Sequence, residues 1–187
     1  MIYRIKQFYR GLFAKVSPED RQFLKNHLSD QEIQLFYRLR IGEQRHCLNI
    51  AYDCLSIDKN NPALLKAALL HDVGKVKSNL TLINKALAVV SEKLNLPKKV
   101  MPKFLKKALY FKTHHPKIGA EMLKEIGTET AVVLLTRYHH EDLAGKLTTD
   151  FQTEEYPGRE RGKNREMGFQ QDFIKTLQIL QKIDKKN

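Results

Sequence analysis

The chain has 187 residues, two cysteines and no tryptophan, with 33 lysines and arginines against 21 acids for a formal net charge of +12. That length suits a single domain with a core that stands without disulfides, and Cys47 and Cys54 are too sparse for a disulfide framework or a zinc knuckle, so a reducing compartment is expected. Met1 to Lys6 opens no long apolar run of signal-peptide type, and nothing approaches the roughly 20 apolar residues of a bilayer span, so the expectation is a soluble, cytoplasmic protein drawn to polyanions.

Apolar residues recur at helical spacing along most of the chain, with no alternating strand pattern, which predicts an all-α bundle. Residues 1–42 are expected to form an N-terminal helical extension packed on a domain of residues 43–187. Ser17-Pro18-Glu19-Asp20 places a hydroxyl cap, a proline and two acids where a helix begins, and Ser29-Asp30-Gln31-Glu32 is a capping box. A helix from about Glu43 carries His46, Ile50 and Cys54. Asn60-Asn61-Pro62 then turns the chain into a helix over Ala63 to Asp72, which Gly74 is expected to end.

Lys93 to Ala120 contains no acid, while Lys93, Lys98, Lys99, Lys103, Lys106, Lys107, Lys112 and Lys117 alternate with apolar residues. The pattern fits an apolar stripe with a solvated lysine face. It also fits an anionic membrane or nucleic-acid surface, as do the basic and apolar residues of the first 16 positions. Pro116 reads as the start of a helix through Leu123, closed by Gly127, with another helix over Thr130 to Glu141. Leu143 to Gly168 reads as a loop before a last helix over Phe169 to Asp184.

Five of the seven histidines fall into one series with carboxylates: His46, His71-Asp72 after Leu69-Leu70, His115, His139-His140, and Asp184 near the end, with Asp172 as a rival for the last place. Imidazole and carboxylate suit borderline divalent metals, and an ionisable pair after an apolar run is costly to bury unless a partner offsets it. His114 reads as an exposed neighbour of His115, and Glu141 as a supporting contact or a solvated helix end. Adjacent side chains on a helix point about 100° apart, so His139 and His140 can share a site only near a helix end or across two ions.

At these residues the chain resembles the HD-domain superfamily of metal-dependent phosphohydrolases, and more narrowly its HDIG and HD-GYP-like branch, from about Glu43 to the C-terminus. The resemblance implies an all-helical domain holding one or two divalent ions among Mn, Fe, Co, Ni, Mg and Zn, and no organic cofactor. It assigns His46, His71 and Asp184 to one ion, His115, His139 and His140 to the other, and Asp72 to both. Lys75 is the implied phosphate contact, so Asp72 and Lys75 are the expected catalytic residues.

Paired ions of this kind both acidify water and clamp phosphate oxygens. The implied substrate is a phosphorylated small molecule of nucleotide type, monoester, diester or anhydride. Asp142 to Lys146 stand where the Gly-Tyr-Pro segment of the HD-GYP branch would lie, with Tyr156-Pro157-Gly158 displaced downstream, which speaks against cyclic di-GMP. Gly42 replaces the extra glutamate of a third-metal site, and Val73-Gly74-Lys75 replaces the glutamate-aspartate motif of alarmone hydrolases. Two rivals come from other classes. One is a degenerate domain that binds nucleotide or metal without turnover. The other is a basic amphipathic adaptor on membrane or nucleic acid.

Overall fold

The computed structural model describes residues 14–78, 101–141 and 163–187, with side chains from Gln171 onward in the last stretch. Among them are seven α-helices and no strand: α1 Pro18–His27, α2 Asp30–Tyr37, α3 Ile41–Ile57, α4 Pro62–Leu70, α5 Lys103–Glu125, α6 Thr130–Tyr138 and α7 Lys163–Lys186, with a 3₁₀ turn over Val73–Ser78. None is long and apolar enough to cross a membrane.

Both predicted capping boxes form. Ser17 and Ser29 accept from the amides of Asp20 and Glu32, whose carboxylates accept from the serine amides in return. Asp20 then reaches further, taking the Arg45 guanidinium at 2.7 Å and the Tyr52 hydroxyl at 2.7 Å, which ties α1 to the helix that carries His46. Burial alone would raise the Asp20 carboxyl, but the Ser17 amide, Tyr52 and Arg45 hold it below its usual value. A carboxylate depressed in the folded state contributes stability above its unfolded pKa and loses it as pH falls. Asp20→Asn should therefore cost about 1–3 kcal/mol at neutral pH and leave a shallower loss of stability below about pH 4.5. Urea titrations at a series of pH values check both, and parallel acid limbs for variant and wild type would exclude this role.

Helix α4 is the centre of the bundle. Leu64, Leu65, Ala67, Ala68, Leu69 and Leu70 are buried around most of its circumference, because α1, α2, α3, α6 and α7 all pack on it. A helix buried on most sides, with Lys66 reaching out to Glu32 at 3.4 Å, has little solvent face, so the residues just past its C-terminus emerge in the interior. Those residues are His71 and Asp72.

Several boundaries differ from the sequence expectation. Helix α4 stops at Leu70, and Gly74 lies inside the 3₁₀ turn instead of ending a helix. Helix α5 runs unbroken through Pro116. Helix α6 ends at Tyr138, so His139, His140 and Glu141 lie beyond it. Helix α7 starts at Lys163, so the last part of the expected 143–168 loop is helical; residues 142–162 lie outside the described set. Gly127 closes α5 as expected, at φ 74°, with the Thr128 amide bonded to Leu123 O and its own amide to Lys124 O.

Of the lysine-rich stretch, residues 79–100 and with them Lys93, Lys98 and Lys99 lie outside the described residues, as do positions 1–13. The remainder, from Lys103 to Ala120, forms all but the last turn or so of α5. There Leu105 and Ala108 are buried with Met101, while Lys103, Lys106, Lys107, Lys112 and Lys117 are exposed.

Candidate metal centre

His71 and Asp72 leave the end of α4 at about 1 % exposure each, and three other elements bring the rest of the histidine series to them. His46 comes from α3, with Nε2 4.0 Å from Asp72 Oδ2 and 3.1 Å from Asp184 Oδ1 on α7. His71 Nε2 lies 3.6 Å from Asp72 Oδ2 and 3.9 Å from Asp184 Oδ1. On the opposite side of Asp72, Oδ1 faces His115 Nε2 at 3.2 Å, and the rings of His139 and His140 stand 5.3 and 5.1 Å from that of His115.

Ligand atoms close enough to share one cation group as His46, His71 and Asp72, as His115, His139 and His140, and as His71, His139 and Asp184. All seven residues of the predicted metal set therefore meet in one place. Asp72 points one oxygen at each side. Asp172 is exposed, and His114 is exposed and stacked on Tyr110 at 4.1 Å.

The backbone decides which nitrogen each buried histidine presents. His71 Nδ1 bonds Ala68 O at 2.9 Å and His139 Nδ1 bonds Thr136 O at 2.6 Å. Both acceptors lie in the last turns of α4 and α6, where carbonyls run out of helical amides. His115 obtains the same arrangement inside a helix. Pro116 has no N–H to give to Lys112 O four residues back, and His115 Nδ1 donates to that carbonyl at 3.0 Å, shared with Phe111 O. The proline read as a helix start is thus tolerated mid-helix, because the neighbouring imidazole supplies the missing donor.

With each Nδ1–H committed, Nε2 is a lone pair turned inward. The Nε2 atoms of His71, His115 and His139 are all buried without a hydrogen-bond partner among the described residues. Burial, above all, pushes the His71 and His139 imidazolium forms down, keeping both rings neutral. His140, on the solvent side, is lowered by partial burial and then by His115. Lone pairs facing carboxylate oxygens at 3.2–3.9 Å repel unless a cation lies between them, and nitrogen with oxygen donors suits a borderline divalent metal. The residues present fit such an ion.

Lys75 departs from a role confined to substrate. Its ammonium rests on Asp72 Oδ2 at 2.5 Å, with the side chain 28 % exposed. Burial works against the Lys75 charge, but Asp72 holds its pKa above the ordinary range. Burial would likewise raise Asp72, which Lys75 holds well below the usual carboxylate range.

Two supporting residues were not anticipated. Gln181 donates to Tyr138 O at 3.2 Å and Glu141 O at 2.7 Å, so α7 clasps the segment carrying His139 and His140. Gly119 lets α5 approach Gly74 so closely that a Cβ on Gly74 would lie 2.0 Å from His115 O. The Gly119 spacing after His115 was visible in sequence; the Gln181 clasp leaves no local signal.

Compared with known protein families, the chain matches the HD domain over residues 44–186. Comparisons with curated proteins and with solved structures give no match.

Proposed function

The chain belongs to the HD-domain family, whose members bind divalent metals, and on that premise we propose that it is a metal-dependent phosphohydrolase acting on a nucleotide or related phosphate ester or anhydride. The observation that carries the reading is the convergence of three buried, partnerless Nε2 lone pairs on Asp72 and Asp184. His46, His71, Asp72 and Asp184 would hold one ion and His115, His139, His140 and Asp72 a second. When bound, such ions supply Lewis acidity that lowers the pKa of water and offsets phosphate charge.

The chain's own residues do the rest. Buried carbonyl anchors hold the imidazoles in one tautomer, so no reorganisation is needed when ligand arrives. Asp72 divides its two oxygens between the two histidine groups. Lys75 neutralises Asp72 and, being partly exposed, is placed to face negative charge on the substrate phosphate. The branch assignment within the family rests on His115-Pro116-Lys117-Ile118-Gly119-Ala120 and the paired histidines.

Elemental analysis of the purified protein should find one to two divalent ions per chain. A screen of nucleoside mono-, di- and triphosphates and a diester with added Mn²⁺ should find turnover. Metal below about 0.2 per chain that Mn²⁺, Fe²⁺ or Ni²⁺ cannot restore would defeat the proposal. His140→Ala should lower the content by about one ion while the group of His46, His71 and Asp72 keeps its own, and exposed His114→Ala should leave both. Complete metal loss in His140→Ala would instead indicate a single shared site.

A further inference from the structure

Beside His140 a cavity of about 400 Å³ opens between α5 and α6, lined by Lys112, Thr113, Pro116, Lys117, Arg137, His140 and Glu141. That volume lies in the range of small-molecule sites. Its wall is biased in charge. Lys112 and Lys117 enter from α5 and Arg137 from α6, against Glu141 as the one carboxylate among the described lining residues. Glu121 lies 3.8 Å from Arg137, but its side chain is 63 % exposed, so water screens most of that offset. None of the three cations belongs to the histidine series, yet His140 belongs both to that series and to the cavity wall.

A small region with three positive groups on two helices, continuous with a cluster suited to a cation, focuses a field on anything anionic that reaches past the reacting group. A planar guanidinium and two ammoniums also match the oxygens of a tetrahedral phosphate. We propose that this cavity is a second anion subsite: it binds a phosphate other than the one cleaved at the histidine cluster, so the substrate class carries at least two phosphate groups. The inference rests on the hydrolase reading for the word substrate, but its binding chemistry stands apart from turnover. The second phosphate has two natural sources, the polyphosphate of a nucleotide and the phosphorylated end of an oligonucleotide.

The test uses the full chain as purified. Orthophosphate and the non-hydrolysable methylenediphosphonate are titrated calorimetrically into wild type, Lys112→Gln/Lys117→Gln and Glu141→Gln. Both lysines are exposed, and the Lys112 contact to His115 is made by its backbone, so the double variant should fold and keep its metal. The preference for methylenediphosphonate over orthophosphate should fall roughly tenfold in the double variant and rise a few-fold in Glu141→Gln, with both changes shrinking at high salt.

In turnover, kcat/KM for a nucleoside 5′-diphosphate is compared with the monophosphate, and a 5′-phosphorylated dinucleotide with its unphosphorylated form. Whichever pair shows the advantage, and loses about tenfold of it in the double variant, identifies the source. An unchanged diphosphonate preference in the double variant overturns the subsite. If that preference falls while wild type hydrolyses none of the four substrates, the subsite stands and the hydrolase reading fails.

Discussion

Asp72→Asn should yield a folded protein that has lost its metal and its turnover. The substitution is isosteric at about 1 % exposure, and the new carboxamide can donate to His115 Nε2, replacing two acceptors facing each other at 3.2 Å by a donor and an acceptor. Lys75 loses its counterion but, at 28 % side-chain exposure, can turn toward water. The metal-free variant should therefore melt within about 1 kcal/mol of metal-free wild type. Metal binding should behave quite differently, since the amide removes the negative charge shared by both ligand groups. Elemental content should fall below about 0.2 ions per chain, and the stabilisation of roughly 2.7 kcal/mol expected of wild type at a hundredfold excess over its Kd should vanish. Thermal melts with and without Mn²⁺, with elemental analysis, read these together. A variant that retained full metal and full turnover would remove Asp72 from the centre of the mechanism.

Gly74→Ala should damage the same site from the backbone side. Its Cβ would meet His115 O at 2.0 Å, Gly119 N at 2.6 Å and His115 C at 2.9 Å, and main-chain atoms cannot swing aside as a side chain can. Helix α5 must move away from the 3₁₀ turn, and His115 moves with it, opening its 3.2 Å approach to Asp72. Overpacking of this kind should cost about 3 kcal/mol, and in a chain of this size that lowers Tm by roughly 6–12 °C. Metal held by His115, His139 and His140 should be lost before that held by His46 and His71. Gly127→Ala is the control. Its φ of 74° strains any side chain, yet no atom of the described residues lies within 4 Å, so about 1 kcal/mol and no metal should be lost. A Gly74→Ala protein melting within about 2 °C of wild type with both ions in place would mean that the close approach does not position His115.

What the sequence determined by itself was the local capping pattern and the helical periodicity. Ser17 with Asp20 and Ser29 with Glu32 closed their capping boxes, because a hydroxyl and an acid three residues apart need only each other's amides. The order of the histidines and acids carried the resemblance to the HD-domain family, and that resemblance is what grouped them into one expected site. The expectation that His139 and His140 could share a site near a helix end holds as geometry: α6 stops at Tyr138, and both histidines group with His115 at its C-terminus.

The folded structure decided what turned on a distant partner and, at Pro116 and Lys75, which near neighbour a side chain takes. Pro116 looked like a helix start because a proline inside a helix strands a carbonyl, and only the His115 ring on Lys112 O makes the continuous helix tolerable. Gly74 looked like a terminator, whereas its lack of a side chain serves the contact with α5, some forty residues along the chain. Lys75 looked free for substrate until Asp72 was placed against it. The cavity of Lys112, Lys117 and Arg137 exists only because α5 packs beside α6, and no local pattern shows two helices in contact.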